Sequence, residues 1–567
     1  MAARAQAPRF ASITLALNSP KPALVTVRGA RRLPRVPLLL LCAAYLLPGL
    51  VGRDPWRNAD LAAFGQMAAI AEGRTAWWAP MLGGLPADTA LLPHWLGAAF
   101  ILMGQGWLDP ALAARVPFAL LLALSLSLTW YTTFHLARTD AAQPVPFAFG
   151  GEAEPIAYAR AVADGAVLAL MATLGLLQLG HETTPELGQL CAMALFIYAL
   201  ASAPYRPRLS RLAVIAALPL LAGSGAPSMA LAAGLAGLLV CAFSRYAQVR
   251  AFTVWVAVGM AAAALLAMLL GAWRWRAHGL QLAELQSLAR QWLWFMWPVW
   301  PLALWTLWRW RRHLSHRHLS VPLVAVGVAL VANVAMGGSD RALMLGLPGM
   351  AVLAAFALPT LRRSAAAAID WFSMCFFTLC AIIIWVIYAA MQTGIPAKPA
   401  ANVAKLAPGF EAPFSALALA LALAGTLAWV WLVRWRTGRH REALWKSLVL
   451  PAGGVALCWL LLMTLWLPLL DYARSPRALV QRVATLVPPE ACIAGPALPP
   501  ATVAALEHFG RWRVDARPDA LQGPCDHQLL VSKSRPLPAP SDGWVLVGQV
   551  RRPTDREEIT QVLRRAP

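Results

Sequence analysis

Residues 52–95 read GRDPWRNADLAAFGQMAAIAEGRTAWWAPMLGGLPADTALLPHW. This stretch follows the first apolar run directly. Its charges, prolines and glycines make it too polar and too broken to cross a bilayer. Asp54, Arg57 and Asp60 stand three residues apart. A helix opening at Pro55 puts Arg57 and Asp60 on one face and Asp54 at the N-cap. Leu61, Phe64, Met67 and Ala68 then form an apolar side, which predicts an amphipathic helix lying along the membrane surface and facing lipid. A carboxylate held at that boundary can take a proton from a hydroxyl on a lipid-borne substrate. A cap and a solvated ion pair are the simpler alternatives for the same residues.

Outside this stretch the chain is apolar. Of 567 residues, 59% are hydrophobic and 13% charged, with a mean hydropathy of +0.59. Soluble domains carry about a quarter charged residues, so this is a polytopic membrane protein. The net charge is +22, with 48 Lys and Arg against 26 Asp and Glu. The basic residues mostly sit in short tracts between apolar runs, where they set topology. Nucleic acid is therefore not an expected partner. The 26 tryptophans suit interfacial belts and an aromatic-lined cavity. Cys42, Cys191, Cys241, Cys375, Cys380 and Cys458 lie in apolar runs and read as small core residues. Cys492 and Cys525 lie in a polar tail and can form a disulfide if that tail faces an oxidising compartment. No CxxC or Cys/His metal spacing occurs, so no metal site is expected.

Residues 1–35 form a basic N-terminus, and Arg28, Arg31, Arg32 and Arg35 hold it in the cytoplasm. The first apolar run, near Val36–Val51, reads as a retained helix and not a cleaved signal. Residues 36–470 then hold about thirteen spans, and the loops assigned to the inside are basic. The first external loop, 52–110, carries a second horizontal helix at Leu91–Met103. Two short spans are broken at GSGAPS (223–228), which is tolerated at membrane depth where helices line a cavity. The tail, 471–567, is then external. Its helix-like PRALVQRVATLV and strand-like CIAG, HQLLVS and WVLVGQV predict a small α/β domain.

This ladder puts Asp54, Arg57, Asp60, His94, Arg115, His181, Glu182, Glu186, Arg274, Arg276, Asp340 and Arg341 on one face. Ionisable residues in short turns and at membrane boundaries are functional candidates by default. Two acidic groups, near Asp54 and near Glu186, with several arginines suit transfer from a phosphate-bearing lipid. The carboxylate takes the acceptor proton and arginine neutralises the departing phosphate. Asp164 and Asp370 read as N-caps on the inner side. His313, His316 and His318 read as part of a basic patch that sets topology.

Asp54-Pro-Trp-Arg57-Asn-Ala-Asp60 resembles the D-E-x-R-Y-A-E that opens the first external loop of GT-C glycosyltransferases. The likeness is to their lipid A aminoarabinose transferase and protein O-mannosyltransferase (PMT-like) branch. Trp77-Trp-Ala-Pro80-Met-Leu-Gly-Gly84 is similar to the W-x-x-P-x-x-x-G that follows, and His94-Trp95 to its Y-W. Arg115-Val-Pro117 resembles the A-R-x-P of the second span. Glu186 falls near the acid of the second external loop. Asp340-Arg341 and Leu347-Pro348 resemble a later basic turn and helix. The chain departs from the pattern at Pro55, where the family has a second acid. Thr89-Ala90-Leu91 stands in place of K-P-P, and Ser224-Gly225-Ala226 in place of T-K-G.

The resemblance implies a GT-C fold and an inverting transferase of a bacterial inner membrane. Its donor would be a polyprenyl-phosphate-linked sugar, and its acceptor an envelope glycolipid or protein on the periplasmic side. Asp54 and Glu186 would be catalytic. Arg57, Asp60, His94, Arg115, Glu182 and Arg341 would bind substrate and phosphate. Neither a nucleotide sugar nor a metal or other cofactor is implied. The rival reading is a transport or non-catalytic component of glycan assembly, which predicts ionisable groups along a midplane path and an inverted repeat.

Overall fold

The computed structural model describes residues 24–56, 58–87, 89–146, 151–273, 284–438, 443–533, 537, 543–555 and 557–566. Arg57, Arg274 and Arg276 lie outside the described residues.

The thirteen expected spans fall on helices: Arg35–Leu46, Pro110–Ala137, Pro155–Ala172, Pro185–Ser202, Pro207–Gly223, Pro227–Ala242, Thr253–Leu269, Val299–Arg309, Arg317–Ala335, Leu347–Ala357, Arg363–Thr393, Ala416–Thr437 and Val449–Leu465; the spans expected at 162–180 and 292–308 are each broken in two, with Leu174–Leu179 and Leu285–Phe295 as the other pieces. Among the described residues, eight helices are long and apolar enough to cross a bilayer. Prolines 110, 155, 185, 207 and 227 all open helices, where the missing N–H costs no bond. The helices pack closely because small residues face their neighbours. A Cβ on Gly259 would come within 2.9 Å of the Val214 carbonyl oxygen, and one on Gly349 within 2.5 Å of the Pro322 carbonyl oxygen.

Asp164 and Asp370 are not caps. Asp164 lies well inside the Pro155–Ala172 helix and is fully buried. It accepts from the Leu33 amide at 2.8 Å, from Trp130 Nε1 at 2.8 Å and from Arg35 at 3.4 Å, which ties down the entry to the first span. Asp370 lies inside Arg363–Thr393 and pairs with Arg436 at 2.6 Å. In both cases the helix begins well before the apolar run does, so the acid falls in its interior.

The loop that follows the first span folds differently from its expectation. Its helix runs Ala59–Ala71 and does not begin at Pro55. Asn58, with a φ of 73°, precedes it, and Asp54 caps nothing. Leu61, Phe64, Met67 and Ala68 are at most 1% exposed and face protein, not lipid. The sequence ADLAAFGQMAAIA is apolar nearly all round, and such a helix seeks burial on every side. It is covered by the Leu91–Met103 helix and by the C-terminal domain. A Cβ on Gly65 would meet the Ala504 Cβ at 2.3 Å, and Phe64 stacks edge-on against His508 at 4.8 Å.

The C-terminal domain carries β3 (Cys492–Ala494), β4 (Arg513–Asp515), β5 (His527–Ser532), β6 (Trp544–Arg551) and β7 (Ile559–Arg565) in the order β4-β3-β5-β7-β6; a hairpin of β1 (Met81–Leu82) and β2 (Leu85–Pro86) precedes them in the first loop. Pairing is parallel between β3 and its two neighbours, and antiparallel across β5-β7-β6. The three strand-like runs in the tail are strands. β4, β7 and the Pro500–Gly510 helix complete the layer. Cys492 and Cys525 form a disulfide, with Cα atoms 4.6 Å apart. The hairpin docks on this domain: Ala516 donates to the Gly83 carbonyl at 2.8 Å, and the Gly83 amide donates to Glu507 at 3.2 Å. Arg74 pairs with Glu507 as well. Leu61 and Leu82 belong to the apolar core of the sheet domain.

Candidate functional site

Five stretches meet at the end of the bundle that carries the sheet domain. The first is Arg53–Asp60, reached through a turn in which Gly49 and Gly52 adopt φ of 80° and 75°. The second is Arg115, near the start of Pro110–Ala137. The third is the turn His181–Glu186. The fourth is Arg341, on the short helix Asp340–Met344. The fifth, Asp471–Arg477, follows the last span.

Asp60 ties the first two loops together. It is 2% exposed. Its Oδ1 accepts from the Thr183 amide and the Thr183 hydroxyl, each at 2.7 Å, and its Oδ2 accepts from the Trp56 amide at 3.1 Å. Arg53 lies 3.7 Å from Oδ2, stacks over Trp56 at 4.6 Å and donates to the His181 carbonyl at 2.9 Å. Burial alone would raise the Asp60 carboxyl. The charges of Arg53 and Arg115 and the two Thr183 bonds outweigh it and hold the group below the usual carboxylate range. Arg115, expected at the rim of a span, is 4% exposed and donates to the carbonyls of Leu50 (3.2 Å) and Arg53. It fixes the loop's entry and does not reach out to water.

Arg341 organises the second acidic group. It donates to Glu182 at 2.6 Å and to the Thr184 hydroxyl at 3.0 Å, and lies 3.5 Å from Glu186. Gln178 donates to the other Glu182 oxygen at 3.1 Å. Burial raises the Glu182 carboxyl, and the nearby Asp60 charge adds to this against the pull of Arg341. Glu186, in the first turn of Pro185–Ser202, is the more open acid, with a quarter of its side chain exposed.

Asp54 faces the fifth stretch. It accepts from Arg477 in fork fashion, at 2.6 Å and 2.9 Å, and from the Ser475 hydroxyl at 2.7 Å. Its own amide donates to Asp471 at 2.9 Å, which also accepts from Trp56 Nε1 at 3.1 Å. Burial pushes the Asp54 carboxyl up, but the Arg477 and Ser475 bonds and the charges of Arg477 and Arg115 leave it below its ordinary range. Burial, with the neighbouring Asp54 charge, raises Asp471. The Arg477 guanidinium is about half exposed, so this pair is reachable from solvent.

His94 stands on the buried side of Leu91–Met103 with Leu91, Ala98 and Ile101, at 1% exposure. The broken-helix turn Ser224-Gly225-Ala226 closes on the same region. Gln189 donates to the Ser224 carbonyl at 2.7 Å, and Gly225, with a φ of 87°, packs against Ala90. The structure thus brings Asp54, Asp60, Arg115, Glu182, Glu186 and Arg341 into one network. Arg53, Thr183, Asp471, Ser475 and Arg477 join it without having been singled out. Asp471 at the exit of the last span was a legible signal; Arg477, six residues on in an ordinary helix, was not.

One opening adjoins the network and a second lies apart from it. A small cleft is lined by Arg115, His181, Thr183 and Phe118. An apolar cavity of about 270 Å³ lies among Leu174, Trp297, Phe372 and Phe376. The six-residue helix Leu174–Leu179, roughly 9 Å long, separates this cavity from His181.

The bundle, the clamped first loop and the sheet domain together make a GT-C fold. Two crystal structures of ArnT from Cupriavidus metallidurans share it. The one bound to undecaprenyl phosphate is 14% identical, with a TM-score of 0.57, covering 93% of this chain and 97% of that one. The apo structure is 16% identical, with a TM-score of 0.53, covering 93% and 96%. At such identities the likeness is one of fold. No protein-family model matches the chain, and no curated protein matches it by sequence.

Proposed function

We propose that this protein is a glycosyltransferase of a bacterial inner membrane. It takes a sugar from a polyprenyl-phosphate carrier and attaches it, on the periplasmic side, to a hydroxyl of an envelope glycolipid or protein. The observation that carries this reading is the meeting of carboxylates and arginines from five stretches at one end of a GT-C-type bundle. The fold supplies the class by analogy, and the network supplies the chemistry. The apolar cavity beside Leu174 is suited to hydrocarbon, and the polar network one short helix away is suited to the phosphate.

In this reading the acceptor oxygen attacks the anomeric carbon on the face opposite the phosphate. The carbon–oxygen bond to phosphate breaks with its electron pair, polyprenyl phosphate leaves, and the configuration inverts. Asp54 receives the acceptor proton. It can do so only when freed from Arg477, so the donor phosphate takes Arg477 from Asp54 as it binds. A charge-assisted fork to phosphate replaces one to carboxylate, and the exchange couples donor binding to release of the base. Arg341 and Glu186 sit across the network, where they orient the phosphate and the acceptor. Arg53, Arg115 and Asp60 hold the loop that presents Asp54.

Mass spectrometry of envelope glycolipids and glycoproteins tests this in wild type, a deletion, and an Asp54→Asn variant confirmed at wild-type levels in the membrane. Loss of the same glycoform in both mutants is expected, and its mass identifies the sugar and acceptor. A glycoform lost in the deletion but kept by Asp54→Asn overturns the assignment of Asp54 as base. No glycoform difference in the deletion overturns the transferase reading.

A further inference from the structure

The other end of the bundle holds a second polar cluster that the proposed transfer does not use. The helices Pro110–Ala137, Pro185–Ser202 and Arg317–Ala335 each run from one cluster towards the other. Arg115 and His135 are twenty positions apart on one helix, roughly 30 Å. At the far end lies Arg317, the first residue of its helix and 6% exposed. Its Nη2 donates to the Leu200 carbonyl, whereas Nε and Nη1 are buried without a hydrogen-bond partner. No described carboxylate lies within ion-pair distance of it. An arginine at a span end ordinarily extends its head to water. This one is covered, and a buried guanidinium with no counter-charge is costly.

Its surroundings add positive potential. Tyr205, Tyr246 and Cys241 are its electrostatic neighbours. Arg138 lies 4.3 Å over the Tyr205 ring, and His135 stacks on the same ring at 5.4 Å with both its nitrogens buried and unpartnered. Arg206 and Arg245 stand exposed at the rim, and the acid nearby, Asp140, is exposed and makes no ion pair among the described residues. Arg317 also opens a nineteen-residue helix whose first-turn N–H groups and dipole favour an anion. His316, at its N-cap, makes no capping bond from its side chain. His318 is different: it is enclosed by Trp310 and Phe356 and reads as packing.

We propose that this cluster is a binding site for a phosphate-type oxyanion. Arg317 forms its floor and Arg138 and Arg206 its rim, and the ligand is either the headgroup of an anionic phospholipid or free phosphate. Basic pockets between helix ends are where such headgroups bind. The site is independent of the transfer chemistry at the opposite end.

The test uses full-length protein purified in a neutral detergent. Binding of dihexanoyl-phosphatidylglycerol is followed by native mass spectrometry and by the thermal midpoint, with dihexanoyl-phosphatidylcholine as control. Inorganic phosphate is compared with chloride at equal ionic strength. A saturable midpoint rise with phosphatidylglycerol, absent with phosphatidylcholine, is expected in wild type and weakened at least tenfold in Arg317→Gln. Arg513→Gln, which removes an exposed arginine of the sheet domain at the opposite end, leaves it unchanged. A matching response to inorganic phosphate identifies the phosphate group alone as the ligand, and a response to lipid only identifies the lipid headgroup. Should Arg317→Gln fail to give monodisperse protein, the Arg138→Gln/Arg206→Gln double variant carries the same expected loss. Absence of saturable binding of either probe, or unchanged binding in the variants, overturns the site.

Discussion

Removing the Asp60 carboxylate isolates a charge. In Asp60→Ala the guanidinium of Arg53 stays buried, with two nitrogens that already lack hydrogen-bond partners. At 3.7 Å and an effective dielectric of about 20, the lost attraction is about 4.5 kcal/mol. Three hydrogen bonds to the carboxylate vanish with it. Breaking a buried pair from one side typically costs 3–5 kcal/mol, so a loss of about 4 kcal/mol in unfolding free energy is expected. The assay is unfolding in mixed SDS and dodecylmaltoside micelles, followed by circular dichroism and analysed for shifts relative to wild type. The double variant Arg53→Met/Asp60→Leu removes both charges and is expected to recover at least about 2 kcal/mol of that loss, because replacing a buried pair by apolar groups is often near neutral. The reasoning is refuted if Asp60→Ala lies within about 0.5 kcal/mol of wild type, or if the double variant is no better than the single one.

Arg477→Ala removes a pair that is half open to solvent, so its stability cost is expected to stay near or below about 1 kcal/mol, whereas glycoform yield falls at least tenfold; unchanged yield argues against the phosphate exchange at Asp54. Asp54 and Asp60 are held below their unfolded values, so the stability they confer is complete above about pH 4 and is lost as pH falls through their lower folded values; Asp54→Asn should flatten that acid limb in a pH series of unfolding midpoints. Gly65→Val forces a side chain into the space already filled by Ala504, and limited proteolysis should show the C-terminal domain cleaved faster than in wild type. The Cys492–Cys525 bridge spans 33 positions, so replacing both by alanine should lower the stability of the sheet domain by roughly 3–4 kcal/mol, seen as an earlier-melting transition confined to that domain.

The ladder of spans was legible in the sequence because a bilayer imposes length and hydropathy on each crossing, and because basic residues mark one set of loops. The strand-like runs of the tail were legible for a similar local reason: β-branched and aromatic residues bounded by turn formers. The residue types of the site were legible too, since Asp54, Asp60, Arg115, Glu182, Glu186 and Arg341 are ionisable groups in places where ionisable groups are rare. Their pairing was not. Spacing put Arg57, which lies outside the described residues, with Asp60; among the described residues the carboxylate takes Arg53, Trp56 and Thr183, the last of these 123 positions away. Asp54 was read as a helix cap, and the two partners of its carboxylate, Ser475 and Arg477, lie more than 420 positions further on. Periodicity assigned the Ala59–Ala71 helix an apolar side for lipid, and the tertiary fold covered every side with protein. Local pattern reports which groups a segment must bury or satisfy. Which distant segment satisfies them is decided by how the chain closes around the first loop, and only the packed structure holds that information.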